Sequence, residues 1–295
     1  MIRLEDAFVQ QVMLPLPDGS TRAAGVLRID KIHATVSGNK WFKLKYNLQQ
    51  AIDQQKNNII TFGGAHSNHI VAAAYACARL NLQCNIFIRG DESVTPSEAL
   101  LECRSLNAKL HFASRNLYGD KTALYEFARQ QFPGAYMIEE GGCNALGVKG
   151  SEEILSLTGE GNHSHIFCAV GTGTMMAGLI NASNKPVIGI SALKMQPGNE
   201  VEQFIEQNTN KPFSINYDYH FGGYAKKTTA LIEFMNKFYQ HTGIATDFVY
   251  TAKLMFGIID LFHRDTFPTG SKPLIIHSGG LQGNRSLPKN TLVYH

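Results

Sequence analysis

Lys40 follows Ser37, Gly38 and Asn39 and opens a stretch in which Trp41, Leu44, Leu48, Ala51 and Ile52 recur at helical spacing. The spacing predicts a helix from about Trp41 to Gln55, with Ser37, Gly38 and Asn39 as its turn and cap residues. Lys40 then lies in the first turn, at the positive end of the helix dipole, where a cation is disfavoured. An amine with a lowered pKa at that place is suited to forming a Schiff base with a carbonyl. For a lysine taken alone, a solvated side chain at a helix start is the plainer reading. Its significance depends on two loops further along the chain.

The first is Gly171-Thr172-Gly173-Thr174, which joins an apolar run to a small-residue helix containing Met175, Met176, Ala177, Gly178 and Leu179. Glycines admit close approach of the backbone, helix-start amides face outward, and two threonine hydroxyls add donors, which together make a phosphate cradle. The dinucleotide fingerprint fails at its third glycine, where Met176 stands, and no Lys-Ser or Lys-Thr follows to make a P-loop. A single phosphate monoester fits best, although a glycine turn needed only for tight packing gives the same pattern. The second loop, Gly64-Ala65-His66-Ser67-Asn68-His69, places a hydroxyl, an amide and two imidazoles at another helix N-terminus. A carboxylate could be held there by Ser67 and neighbouring amides; a capped helix with surface histidines is the alternative.

Strands and helices alternate around these loops. Short apolar runs at Asn58–Phe62, Cys84–Ile88, Lys109–Phe112, Ala135–Ile138, His165–Val170 and Pro186–Ile190 read as strands, and Gly25–Ile29 is the best strand of the first 36 residues. Helical spacing falls at His69–Leu80, Ser97–Leu106, Lys121–Gln131 and Leu146–Leu157. Continuous apolar strands alternating with helices predict an α/β protein with parallel sheets covered on both faces. Ligands in such sheets bind at the carboxyl ends of strands, so the informative loops are Gly63–His69, Gly141–Asn144, Gly171–Thr174 and Ser278–Gly280.

Composition narrows the function classes. With 44% hydrophobic and 17% charged residues in 295, the chain reads as an ordinary globular protein with well-buried elements. A net charge of +3 is too weak to suggest nucleic acid or a membrane surface as partner. No apolar run reaches a membrane span, and the first residues contain no signal-peptide core. Cys77, Cys84, Cys103, Cys143 and Cys168 are odd in number and widely spaced, as expected for reduced core residues in the cytoplasm. His66 with His69, and His163 with His165, have no carboxylate or cysteine at ligand spacing, so no metal is expected.

A reactive lysine, a phosphate cradle and a carboxylate site are what pyridoxal 5'-phosphate (PLP) needs when it acts on an amino acid. The chain resembles the 1-aminocyclopropane-1-carboxylate (ACC) deaminase and D-cysteine desulfhydrase family, PLP-dependent enzymes of fold type II with the tryptophan-synthase-β-like fold. The resemblance is carried by Ser37-Gly38-Asn39-Lys40-Trp41-Phe42-Lys43-Leu44, Gly63 to His69, Gly141-Gly142-Cys143-Asn144-Ala145-Leu146-Gly147 and Gly171 to Thr174. It extends to Asp247-Phe248-Val249-Tyr250-Thr251-Ala252-Lys253 and His277-Ser278-Gly279-Gly280.

That resemblance implies two open parallel-sheet α/β domains with PLP in the cleft between them. The smaller, residues 46–150, would be inserted into a larger PLP-binding domain of residues 1–45 and 151–295. It implies Lys40 as the Schiff-base lysine, and Lys40, Ser67 and Tyr250 as catalytic residues. Asn68 would bond the cofactor's phenolic oxygen, Gly171, Thr172, Gly173 and Thr174 its phosphate, and Ser278 its pyridine nitrogen. Ser67, Asn68, His69 and Tyr250 would bind the substrate. The implied activity is a lyase or deaminase acting on a small amino acid as a homodimer, foremost β-elimination from D-cysteine to a 2-oxo acid, ammonia and sulfide. ACC deamination is the alternative, and a catalytically weak or silent PLP-fold binding protein a third. Ile275 stands where ACC deaminases are expected to carry a second catalytic tyrosine, which favours D-cysteine. Thr174 and Met175 replace the more usual Gly and Thr, and Leu281-Gln282-Gly283-Asn284 departs from the usual apolar run.

Overall fold

A computed structural model describes residues 2–36, 38–92, 95–159, 161–268 and 270–294. Ser37, read above as part of a cap, lies outside them. In chain order the first elements are β1 (Val9–Pro15) and β2 (Thr21–Leu27), then α1 (Asn39–Asp53), β3 (Asn58–Gly63) and α2 (Asn68–Arg79). They are followed by β4 (Gln83–Arg89), α3 (Glu98–Ser105), β5 (Lys109–Ala113), α4 (Arg115–Gly119), α5 (Lys121–Gln131), β6 (Tyr136–Met137) and α6 (Ala145–Glu152). The remainder is β7 (His165–Val170), α7 (Thr174–Ala182), β8 (Val187–Ser191), α8 (Glu200–Asn208), β9 (Ser214–Asn216), α9 (Thr229–Thr242), α10 (Thr251–His263) and β10 (Pro273–Ile276).

The chain divides into two compact units, one of residues 1–39 with 151–295 and one of residues 40–150. The inserted unit begins at Lys40, ahead of the expected residue 46, because α1 is one continuous helix whose side chains pack within that unit. Its sheet has the order β5-β4-β3-β6, all parallel. Phe62, Phe87, Leu124 and Ala128 are buried together there, and the ring of Tyr125 lies 4.6 Å from that of Phe62. Helix α2 is enclosed along nearly its whole length, which explains why its sequence is apolar on all sides.

The larger unit has a six-stranded sheet in the order β1-β2-β10-β7-β8-β9. Five strands are parallel, and β1 runs antiparallel to β2. That departure from the all-parallel expectation has a length cause. Only residues 16–20 separate the two strands, which is too short for a crossover and long enough for a hairpin. One face packs on α10, where Phe167, Ile190, Leu254, Ile258 and Ile275 share a core. Helix starts are capped as their sequences require: Ser97, Asp120, Asn199 and Thr228 each accept a backbone N–H of the first turn. Elements β1, α4, α8, β9, α9 and α10 go beyond those the spacing predicts.

Candidate active site

In the inserted unit the site residues gather at the carboxyl end of β3. Gly63 ends the strand, and a Cβ there would meet Ile70 Cγ2 at 2.5 Å, so the turn into α2 closes only around glycine. Ser67 caps α2, its hydroxyl accepting the His69 N–H at 3.2 Å, and Ser97 donates its hydroxyl to the Ala65 carbonyl to brace the loop. The first amides of α2 therefore lie beside Ser67 and Asn68 at a strand end, an arrangement suited to a carboxylate.

His69 differs from a surface histidine. Its side chain is 2% exposed, and Nε2 pairs with the Thr61 hydroxyl at 2.8 Å. Burial, then the positive charges of Lys40 and Lys43, push its pKa down to about 3. The ring is thus neutral at pH 7 and cannot offer a cation to a carboxylate; its backbone N–H is already given to Ser67.

Lys40 is the second residue of α1, half-buried, with Lys43 enclosed one turn later. A clamp holds this helix. Asn47 donates to the Lys43 carbonyl at 2.8 Å, and Asn144 donates to Asn47 Oδ1 at 2.8 Å and to Glu139 at 2.5 Å. Gly142, at φ 66, packs against Lys43, where a Cβ would sit 3.0 Å from the lysine's own. The Gly141–Gly147 motif thus sets the position of the lysine helix. Of the cysteines, only Cys143 in this loop is half-exposed; the other four are buried. Burial pushes the Cys103 thiol up to about 12.

In the larger unit β7 ends at Val170 and α7 begins at Thr174. Gly173 has φ 79, and a Cβ on it would come within 3.0 Å of Ile205 and 3.1 Å of Val201 on α8. The Thr172 and Thr174 hydroxyls lie 2.9 Å apart at the helix start. Two hydroxyls, the amides of a helix's first turn and glycines at close quarters form a donor set that fits a phosphate dianion. The Tyr250 ring flanks this loop, its Cε1 3.1 Å from where a Gly171 Cβ would be. Tyr250 is held from below by Asp247, a buried carboxylate that accepts the N–H groups of Val249 and Tyr250, both at 2.9 Å, and the Thr251 hydroxyl at 2.7 Å.

Two findings bear on the sequence reading. Ile275 lies in the middle of β10, paired with Val26 and Phe167 and wholly buried in the core. Beside Tyr250 the structure places Tyr224, whose ring meets that of Tyr250 edge-on with centroids 6.2 Å apart. The dipeptide Gly222-Gly223 before it was the available signal, but surface turns carry the same pattern.

Ser278 follows β10, and its carbonyl accepts the Asn39 N–H at 3.2 Å. Gly38, at φ 66, would place a Cβ 1.9 Å from that carbonyl oxygen, so glycine is obligatory two residues before Lys40. Beneath Ser278, His277 is sealed in, with Nε2 2.8 Å from the Ala245 carbonyl and Nδ1 3.3 Å from Asp30. Burial would raise the Asp30 carboxyl, but His277 and the Arg28 guanidinium outweigh it and hold the group below its ordinary value.

Each unit thus assembles part of the predicted set: Lys40 with Ser67, Asn68 and His69, and Gly171–Thr174 with Tyr250. The profile of the pyridoxal-phosphate dependent enzyme family matches residues 26–279. The bifunctional D-cysteine desulfhydrase/1-aminocyclopropane-1-carboxylate deaminase, mitochondrial, of Arabidopsis thaliana is 28% identical over 299 residues, 91% of this chain and 74% of that one. The 1-aminocyclopropane-1-carboxylate deaminase of a Bradyrhizobium strain is 27% identical over 283 residues, 83% of this chain and 82% of its own. A crystal structure of an ACC deaminase homologue superposes with a TM-score of 0.79 at 24% identity, covering 96% of this chain and 92% of that one, and so shares the fold. The matched span includes Lys40, the Ser67 and Gly171 loops, Tyr250 and Ser278, and the chain belongs to the pyridoxal-phosphate dependent enzyme family.

Proposed function

We propose that this enzyme removes ammonia from a small β-substituted amino acid, with D-cysteine as the substrate its residues suit best. When bound, PLP supplies an electron sink for negative charge developing at the substrate's α-carbon. Lys40 is the residue that carries the cofactor and, once released from it, takes the α-proton. It stands half-buried in the first turn of α1. Ser67, Asn68 and the first amides of α2 hold the substrate carboxylate. Thr172, Thr174 and the first amides of α7 hold the phosphate. The Ser278 hydroxyl meets the pyridine nitrogen without imposing a charge on it, a moderate setting that suits elimination. Tyr250, flanking the phosphate loop, holds or moves a proton at the substrate.

The observation that carries this reading is a lysine at the start of α1 together with a serine-capped helix start at the end of β3, within a span that matches the pyridoxal-phosphate dependent enzyme family. Thiolate leaves without a strong acid, so D-cysteine asks least of these residues. ACC deamination is a second reading, favoured by the Tyr224–Tyr250 pair, since opening a ring without an α-proton needs placed proton donors or acceptors. Two of the relatives above carry that activity in their names. Measuring kcat/KM for D-cysteine, L-cysteine and ACC with the PLP-loaded protein separates the readings. D-Cysteine is expected to lead; efficient ACC turnover with D-cysteine inert would select the second. A homodimer is part of the proposal, with light scattering of the purified protein as its check.

A further inference from the structure

Lys253 lies on α10 three residues after Tyr250, and its side chain is 0% exposed. A buried ammonium is costly unless its donors are met, and among the described residues this one forms no ion pair. Its Nζ donates to two main-chain carbonyls, Ala192 at 3.1 Å and Gly223 at 2.7 Å. Ala192 follows β8 and donates its N–H to Val170, the residue before the Gly171 loop. Gly223 immediately precedes Tyr224. The segment around it is irregular, with positive φ at Phe221 (51), Gly222 (92), Gly223 (115) and Ala225 (52). Its own bonds are those of local turns: the Gly223 N–H to the His220 carbonyl at 3.0 Å and the Lys226 N–H to the Gly223 carbonyl at 3.2 Å, with no regular element holding it. Burial moves the Lys253 pKa down to about 8, with Asp247 opposing the shift.

We propose that Lys253 is a positioning residue whose ammonium pins the Gly223 carbonyl and so holds Tyr224 against Tyr250 beside the Gly171 loop. The inference rests on the reading of Tyr250 as a site residue, and its structural half can be read without any substrate. Lys253→Met removes both bonds, and Lys253→Gln, which keeps one donor group in the same space, serves if the first variant fails to fold.

Hydrogen exchange of residues 220–227 is the first measurement, with trypsin cleavage after Lys226 and Lys227, both exposed, as its companion. Losing a bond from a charged donor predicts about tenfold or greater loss of protection there, with the strands and α7 unchanged. The second measurement is a double-mutant cycle on kcat with Tyr224→Phe. If Lys253 acts through Tyr224, the combined loss is smaller than the product of the single losses, and KM moves less than kcat. Unchanged exchange at residues 220–227, or fully multiplicative losses, overturns the proposal. Exchange stands whether or not D-cysteine is turned over, so a failed substrate assignment and a failed anchor are told apart.

Discussion

His69 stays neutral in the folded protein down to about pH 3, whereas an exposed imidazole protonates near 6.5. In the window between those values the unfolded chain binds the extra proton, so stability falls as pH drops from 6.5 towards 3. The slope from this residue is at most about 1.4 kcal/mol per pH unit. Urea melts of the wild type and His69→Gln at pH 7 and pH 4.5 check it; the variant is expected to lose less stability than the wild type on acidification. Ile275 gives the opposite kind of lesson. Its replacement by tyrosine would overpack a sealed core and lower stability by about 1–3 kcal/mol or more, without adding ACC turnover. Thermal melts with an ACC assay test both halves. The residue-scale reading works where local chemistry decides the geometry, as for Ser67 at the start of α2. The burial of Ile275 and the Tyr224–Tyr250 contact were not legible, because a strand sequence does not say which residues will enclose it and the contact joins separate segments.

At the scale of elements, the start of α7 makes a sharp prediction. Thr172→Ala and Thr174→Ala should each weaken PLP binding by about 1 kcal/mol or somewhat more, since each removes a donor to a dianion. Spectroscopic PLP titration of the double variant reads this directly, and unchanged affinity places the phosphate elsewhere. Gly173→Ala should cost more than either, because the added Cβ meets Ile205 and Val201 while the backbone is at positive φ. The loops were legible because glycine and hydroxyl residues after an apolar run mark the turn from a strand into a helix. The clamp from Glu139 through Asn144 and Asn47 to the Lys43 carbonyl was not, since amide side chains on three separate segments leave no periodic trace.

At the scale of the molecule, alternating apolar strands and helices announced the α/β class, and both sheets are parallel apart from β1. Helices α8 to α10 were harder to read: α10 is apolar nearly all round, as a buried helix is, and the stretch before α9 is irregular. Among the described residues no helix is long and apolar enough to cross a membrane. The central claim is that this PLP-dependent enzyme works through Lys40. Lys40→Ala should retain PLP through the phosphate loop yet lose turnover by orders of magnitude. The most direct measurement is borohydride reduction of the PLP-loaded wild type followed by peptide mapping. It should place the reduced cofactor on Lys40; a label on another lysine, or none, would contradict the account.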